Sequence, residues 1–225
     1  MTVIVHSNIF SNDEIQTLLS FFEKNDNFLN PVDDSYKEIL KNRHHYERTK
    51  NLDWTDAWPR DIIKSKLDDI LEPYEIETIF INRTVTHFGI HADTGSYHDL
   101  IYKNVLIPLE YQGPSYTIFF NNHLNRVQAR LCKNPVHVRD NEEVISDYRE
   151  IGNYNESAKF NTEVYSKYFK HTDIGELDGL TFDRAYQWNI GDLVTWDRTQ
   201  LHCAGEEHTY KTWLSIFTNY RKYSD

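Results

Sequence analysis

The chain has 225 residues, of which 39% are hydrophobic and 14% aromatic, and its formal net charge is −11. This length suits one domain over 1–225, and the many aromatic side chains can form a sizeable core. The acidic charge disfavours a non-specific grip on nucleic acid or on an anionic membrane, because both need an excess of lysine and arginine.

The sequence shows neither a basic leader segment nor an apolar run of 18 residues. We therefore expect a cytoplasmic protein with no membrane and no nucleic-acid partner. The two cysteines, Cys132 and Cys203, form no disulfide framework, which suits a reducing compartment. The composition says nothing about the oligomeric state.

Two amphipathic helices are predicted in the first third of the chain. The first runs from about Asn12 to Glu23, and Ser11 with Glu14 forms a capping box at its start. The second runs from Pro59 to Leu71. We expect residues 1–73 to form a helical support for the strands that follow.

From residue 74 the pattern changes to short strands that are rich in β-branched and aromatic residues and bounded by Gly, Pro, Asn or Asp. The predicted strands are Glu75–Asn82, Tyr102–Tyr111, Tyr116–Phe120, Val127–Leu131, Ala185–Asn189, Leu193–Asp197 and Thr212–Tyr220. Two helices followed by about seven strands predict a mainly β protein with flanking helices. The fold class we expect over 74–220 is a double-stranded β-helix, a cupin-like jelly roll.

Residues 133–184 interrupt the predicted strands with about 50 mostly polar residues. A structureless loop of that length is uncommon in a compact domain, so we expect an insertion with some structure of its own. Two interpretations stay open. The insertion is either a lid over the pocket or a peripheral excursion with no catalytic part.

Two His-x-Asp motifs, His91 with Asp93 and His171 with Asp173, could each aim two ligands at one metal, because residues i and i+2 of a strand share a face. A third ligand must come from a later strand, and His202 is the candidate. Several strands fit between His91 and His202, but only about two fit between His171 and His202. We therefore favour a site of two imidazoles and one carboxylate formed by His91, Asp93 and His202. This is the facial ligand set of a catalytic ferrous iron that keeps open coordination positions.

The ordered combination resembles the Fe(II)- and 2-oxoglutarate-dependent oxygenases, most closely their prolyl-hydroxylase-like and phytanoyl-hydroxylase-like branches. His91-Ala92-Asp93 matches the HxD motif of that family and His202 its distal histidine. The resemblance covers about residues 76–220. It implies Fe(II), 2-oxoglutarate and O2 as cofactor and co-substrates, with no catalytic side chain beyond the metal ligands. Family members that halogenate lack the carboxylate, so Asp93 favours hydroxylation or a related oxidation.

The family usually anchors the far carboxylate of 2-oxoglutarate with an arginine in an RxS pattern. The matching position here is Lys211, with Trp213 two residues further on, and lysine offers a point charge in place of a two-pronged donor. Lys211 could instead be a solvated lysine at a strand end. Arg198 is a rival anchor, or else a partner of Asp197.

Several polar and aromatic residues are weaker candidates. Thr117 and Asn82 could donate hydrogen bonds to the co-substrate, or both could be ordinary strand residues. A core or surface position is favoured for each of five further residues, which could otherwise line a substrate pocket: Trp54, Trp58, Tyr97, His98 and Trp188.

Three functions follow from these observations. The first is an oxygenase that acts on a small molecule, and the second is a hydroxylase of a protein side chain such as proline. The third is a jelly-roll binding module without catalysis, whose histidines are structural or hold a non-redox metal. The acidic net charge disfavours a fourth function, demethylation of nucleic acid. An oxygenase should bind Fe(II) and 2-oxoglutarate together and lose both when His91 or Asp93 becomes alanine.

Overall fold

The computed structural model describes residues 3–24, 47–52, 59–84, 89–94, 100–124, 129–130, 143–144, 151–205 and 211–221. Its helices are α1 (Asn12–Lys24), α2 (Arg60–Ile70) and α3 (Thr162–Tyr168), with a 3-10 turn at Ile174–Glu176. Its strands are β1 (Ile4–His6), β2 (Glu47–Leu52), β3 (Tyr74–Thr84), β4 (Ile101–Tyr111), β5 (Tyr116–Leu124), β6 (Ala129–Arg130), β7 (Glu143–Val144), β8 (Ile151–Gly152), β9 (Phe182–Gln187), β10 (Leu193–Asp197), β11 (Gln200–Ala204) and β12 (Lys211–Tyr220). None of the described helices is long and apolar enough to cross a membrane.

Most of the strands form two antiparallel sheets. The larger sheet has the order β1-β10-β4-β12-β3-β2, and the smaller has the order β11-β5-β8, with β9 also pairing with β5. Side chains from both sheets pack together between them, for example Trp196 of β10 against Phe119 of β5. The predicted fold class is therefore confirmed as a jelly roll with flanking helices.

The two predicted N-terminal helices are present, and they cover the outer face of the larger sheet. The capping box forms as expected, because the Ser11 N–H donates to Glu14 Oε2 at 2.7 Å and the Glu14 N–H donates to Ser11 Oγ at 3.3 Å. The core between the helices and the sheet includes Ile15, Leu18, Phe22, Ile63, Leu67, Ile79, Ile81, Val105, Ile107, Leu109, Leu214 and Ile216. Because alternate strand residues point to opposite faces, the intervening residues of these strands face the space between the sheets.

Residues 151–181 of the predicted insertion pack on the outer face of the smaller sheet. Their buried side chains Phe160, Tyr168 and Phe169 join one apolar cluster with Phe120 and Leu201 of the sheet. This part of the insertion therefore packs against the outer face of the smaller sheet and does not cover the space between the sheets. Of residues 133–150, only Glu143–Val144 is described.

Several strand predictions differ from the structure in their limits. Leu193–Asp197 is confirmed as predicted, whereas the strand predicted at Ala185–Asn189 begins and ends earlier, at Phe182–Gln187. Of the predicted Val127–Leu131, only 129–130 is described as a strand. Strand β11 was not predicted, because Gln-Leu-His-Cys-Ala has few strong strand formers and is stabilised by its pairing with β5.

The predicted turn at Gly191-Asp192 sets the start of β10. Gly191 has a φ of +91°, and a Cβ there would lie 2.8 Å from the carbonyl oxygen of Phe10, so only glycine fits. The buried Asp192 carboxylate accepts hydrogen bonds from the Tyr186 hydroxyl at 3.1 Å and the Asn189 side chain at 2.8 Å. The turn thereby holds β10 in register with its neighbours.

Candidate metal centre and co-substrate pocket

The segment containing His91 and Asp93 runs antiparallel to β11. The His91 N–H donates to the His202 carbonyl at 3.0 Å, and the His202 N–H donates to the His91 carbonyl at 2.9 Å. The Asp93 N–H donates to the Arg198 carbonyl at 2.9 Å. These bonds place the two imidazole rings side by side, with centroids 4.3 Å apart.

The three side chains His91, Asp93 and His202 converge on one point. His91 Nε2 lies 3.5 Å from Asp93 Oδ1, and His202 Nε2 lies 3.1 Å from Asp93 Oδ2. One potential ligand atom from each side chain lies within 4.8 Å of the other two. The structure therefore brings together the three residues that were predicted as metal ligands.

Each imidazole is oriented by a backbone carbonyl. His91 Nδ1 lies 2.7 Å from the Gly89 oxygen, and His202 Nδ1 lies 3.1 Å from the Gln200 oxygen. Because a carbonyl oxygen only accepts hydrogen bonds, each Nδ1 carries the proton, and in the neutral ring each Nε2 presents a lone pair. Such orienting bonds are typical of metal-binding histidines.

The Asp93 carboxylate is buried, with 5% of the residue exposed. Burial alone would raise its pKa, but Arg198 and the imidazoles of His202 and His91, when these carry a positive charge, act in the opposite direction, and the net result is a pKa below the ordinary value. The Asn104 side-chain amide donates to Asp93 Oδ2, and the Ser215 hydroxyl donates to Asn104 Oδ1 at 3.1 Å. These two residues orient the carboxylate and help to keep it ionised.

This donor set fits a divalent cation. When each imidazole is neutral, with its proton on Nδ1, an Nε2 lone pair faces the Asp93 carboxylate at 3.5 Å from His91 and at 3.1 Å from His202. A cation between them would remove their mutual repulsion. Two imidazoles and one carboxylate on one side of the ion are the ligands that ferrous oxygenases use, and they leave other coordination positions open.

Lys211 is a buried cation in the same interior. It begins β12 and shares a strand face with Trp213 and Ser215, and only 3% of the residue is exposed. Its Nζ lies 5.3 Å from the ring centre of Trp188 and 5.9 Å from that of Trp213. Burial lowers the pKa of Lys211 to about 8, and no carboxylate in the described part of the chain pairs with it. A buried ammonium of this kind favours an anionic ligand.

Thr117 and Asn82, the two predicted hydrogen-bond donors, are also buried on strands that border the interior. Thr117 lies on β5, and its Oγ1 accepts a hydrogen bond from Trp188 Nε1 at 2.9 Å. The hydroxyl proton of Thr117 can then point elsewhere. Asn82 lies on β3 directly opposite Trp213 of β12. Trp188 thus contacts both Thr117 and Lys211.

Arg198 is fully buried, and its guanidinium bonds to the protein itself. Its Nε donates to the Asp93 carbonyl at 2.8 Å, and an Nη donates to the Thr94 carbonyl at 3.0 Å. The other Nη bonds to acceptors on β3 and β12, namely Glu77 Oε2 at 2.6 Å, Asn219 Oδ1 at 2.8 Å and the Thr218 carbonyl at 3.2 Å. Arg198 therefore fastens the Asp93–Thr94 backbone to the larger sheet. Asp197, its alternative partner in the sequence, bonds to Lys103 at 2.7 Å.

The second His-x-Asp motif lies away from these residues, in the insertion. Asp173 Oδ1 accepts the Gly175 N–H at 2.7 Å and caps the 3-10 turn, and the His171 ring lies 6.3 Å from the ring of Phe169. Four candidate pocket residues, Trp54, Trp58, Tyr97 and His98, lie outside the described residues.

Three residues of the site were not found from the sequence. Asn104 and Ser215 orient Asp93, and the Trp196 ring packs 5.0 Å from the His202 ring. Asn104 carries a detectable signal, because it is a polar residue on the apolar strand Ile101–Tyr111. Trp196 and Ser215 look like ordinary strand residues in the sequence.

No protein-family model matches the chain, and no curated protein matches its sequence. Similar solved structures include EctD from S. alaskensis with 2-oxoglutarate and 5-hydroxyectoine, which is 11% identical with a TM-score of 0.54 and covers 97% of this chain and 72% of that one. HygX from Streptomyces hygroscopicus with nickel and 2-oxoglutarate is 13% identical, with a TM-score of 0.50 and coverages of 98% and 84%. An oxidoreductase of the 2OG-Fe(II) oxygenase family from Burkholderia pseudomallei is 12% identical, with a TM-score of 0.45 and coverages of 96% and 84%. The chain therefore has the fold of the EctD and HygX structures, both of which contain 2-oxoglutarate.

Proposed function

We propose that this protein is a non-haem Fe(II)- and 2-oxoglutarate-dependent dioxygenase that hydroxylates a small molecule. The observation that carries the proposal is the convergence of His91, Asp93 and His202 in an interior that also contains the buried ammonium of Lys211, which pairs with no carboxylate among the described residues. The same fold holds nickel and 2-oxoglutarate in HygX and holds 2-oxoglutarate in EctD.

In this proposal the protein holds the metal from one side. His91 and His202 bind through Nε2 and Asp93 through its carboxylate, so the opposite coordination positions stay open. Asn104 keeps the carboxylate oriented, and Arg198 holds the backbone on which it stands. When bound, Fe(II) with 2-oxoglutarate and dioxygen supplies the oxidising power for hydroxylation.

Lys211 is the proposed anchor for the far carboxylate of 2-oxoglutarate. A dicarboxylate would supply the counter-charge that no described residue gives the buried ammonium, and the surrounding tryptophan rings exclude water and strengthen the attraction. The Thr117 hydroxyl, held by Trp188, is placed to donate a second hydrogen bond, and Asn82 is a further donor from β3. Arg198 is not proposed as an anchor, because its donors are bonded to protein oxygens.

The small-molecule substrate is inferred from the ligand of a similar structure. EctD contains 5-hydroxyectoine together with 2-oxoglutarate. The presence of Asp93, where halogenating members of the oxygenase family lack a carboxylate, supports hydroxylation as the outcome. Release of succinate in the presence of candidate small molecules, with proline-containing peptides tested alongside, would identify the substrate class.

The test is an anaerobic titration with Fe(II), with and without 2-oxoglutarate, in which the visible metal-to-ligand charge-transfer band is measured. We expect the band in the unaltered protein and its loss in His91→Ala and His202→Ala. His171→Ala, from the other His-x-Asp motif, is the matched control and should keep the band. If the unaltered protein shows no band and binds no 2-oxoglutarate, the chain is a jelly-roll binding module instead.

A further inference from the structure

The indole N–H of Trp196 is buried, and none of the residues that the structure describes accepts a hydrogen bond from it. The residue is 2% exposed. Burial of an unsatisfied donor is costly, and such groups are rare in native proteins. A neighbouring tryptophan in the same interior cluster, Trp188, satisfies its N–H with Thr117 Oγ1. Of these two indole N–H groups, that of Trp188 has an acceptor and that of Trp196 has none among the described residues.

Trp196 lies beside the proposed metal ligands. It stands on β10 directly opposite Asn104 of β4, the residue that orients Asp93. Its ring is 5.0 Å from the His202 ring, at 64°, and 5.1 Å from the Phe119 ring, also at 64°. Trp196 thus borders the metal centre on the side formed by His202 and Asn104.

The polar groups around Trp196 are already engaged with one another. Asn104 donates to Asp93 and accepts from Ser215, and His202 uses its Nδ1 with the Gln200 carbonyl. Neither of these described residues therefore serves as an acceptor for Trp196. An oxygen of a ligand bound beside His202 would supply one.

We propose that Trp196 is a positioning residue for the acid co-substrate, donating its indole N–H to the carboxylate next to the 2-oxo group. This inference rests on the proposed function. Lys211 would hold one end of the dicarboxylate and Trp196 the other, so the two donors would fix the acid at both of its charged groups. A hydrogen bond to a charged acceptor is stronger than one between neutral groups, so a carboxylate would be a strong acceptor for the Trp196 N–H.

The direct test follows the Trp196 indole signal by NMR in 15N-labelled protein loaded with Zn(II), a diamagnetic substitute for Fe(II). Addition of 2-oxoglutarate should move the Trp196 N–H signal downfield and slow its exchange with solvent, whereas Zn(II) alone should not. A signal that does not respond to bound 2-oxoglutarate, or that responds fully to Zn(II) alone, would overturn the inference. Assignment uses Trp196→Phe or, if that variant does not fold, the other four Trp→Phe variants.

A second measurement uses Trp196→Phe, which keeps a ring but removes the donor. We expect the dissociation constant for 2-oxoglutarate to rise about tenfold and the Fe(II) charge-transfer band to change position, with metal affinity unchanged. A purely structural role for Trp196 would leave the band position unchanged. If 2-oxoglutarate binds normally to the variant with the same band, only the Trp196 inference fails. If it does not bind even to the unaltered protein, the proposed function fails first.

Discussion

His91 and His202 exchange two backbone hydrogen bonds, of 3.0 and 2.9 Å, in opposite directions. The two residues therefore form one rung of an antiparallel ladder, and their imidazoles project from neighbouring backbones. The spacing of the two Nε2 atoms thus depends on main-chain geometry more than on loop conformation. A preformed ligand pair of this kind lowers the ordering cost of metal binding.

Replacement of Asn104 by leucine, which has a similar volume, should weaken metal binding. The variant leaves Asp93 Oδ2 without its amide donor, and loss of such an orienting partner costs about 10–100-fold in metal affinity. Titration with Mn(II), followed by electron paramagnetic resonance, measures the change. Asn121→Leu, at an exposed position on strand β5 of the smaller sheet, is the control. Equal metal affinity in Asn104→Leu and the unaltered protein would contradict the orienting role.

Lys211→Met should stabilise the protein while abolishing 2-oxoglutarate binding. The folded-state pKa of Lys211 lies near 8, below that of an unfolded lysine, so its charged form destabilises the fold. The penalty is fully present below about pH 8 and disappears as the pH rises to about 10.4. Removal of the charge should raise the free energy of unfolding at pH 7 by about 1–3 kcal/mol, because one pKa unit corresponds to about 1.4 kcal/mol.

Urea denaturation at pH 7 and pH 10 checks this stability prediction. The gain in Lys211→Met should be present at pH 7 and nearly absent at pH 10, while Fe(II) binding without 2-oxoglutarate is retained. A variant that is less stable than the unaltered protein at pH 7 would show that the packing and cation–π contacts of Lys211 outweigh the cost of burying its charge.

The affinity for 2-oxoglutarate should fall as the pH rises through about 8. Above that value the Lys211 side chain of the free protein loses its proton. Binding of 2-oxoglutarate then requires that Lys211 is protonated again, which weakens the apparent affinity. We expect about a tenfold weaker affinity at pH 9 than at pH 7. Calorimetry in buffers of different ionisation enthalpy should show proton uptake near pH 8.5. In Lys211→Arg the pH dependence should disappear, because arginine stays protonated.

Arg198→Lys should destabilise the fold without removing the co-substrate anchor. Lysine cannot reproduce the planar set of bonds to the Asp93 and Thr94 carbonyls and to Glu77. A broken buried ion-pair network costs about 3–5 kcal/mol, which denaturation by urea would detect. Among molecules that remain folded, 2-oxoglutarate should bind with nearly the original affinity. Loss of 2-oxoglutarate binding without loss of stability would instead make Arg198 an anchor.

Local patterns in the sequence were sufficient for the elements that depend on short-range interactions. The helix beginning at Asn12 follows from its Ser11–Glu14 capping box, and the strand Leu193–Asp197 follows from an apolar run after a glycine turn. Both depend on hydrogen bonds or backbone preferences within a few residues. Strand β11, which carries His202, depends on pairing with β5, so its own residues predicted it poorly.

The sequence by itself determined the fold class and the types of ligand residue available, because strand periodicity and His-x-Asp spacing are local properties. Only the tertiary structure decided which His-x-Asp motif meets His202, since that choice depends on the pairing of residues far apart in the chain. The structure likewise showed that Arg198 bonds to the Asp93 backbone and that Lys211 pairs with no carboxylate in the described ranges. A charge acquires such a role from what surrounds it after folding, and one-dimensional spacing carries no information about those surroundings.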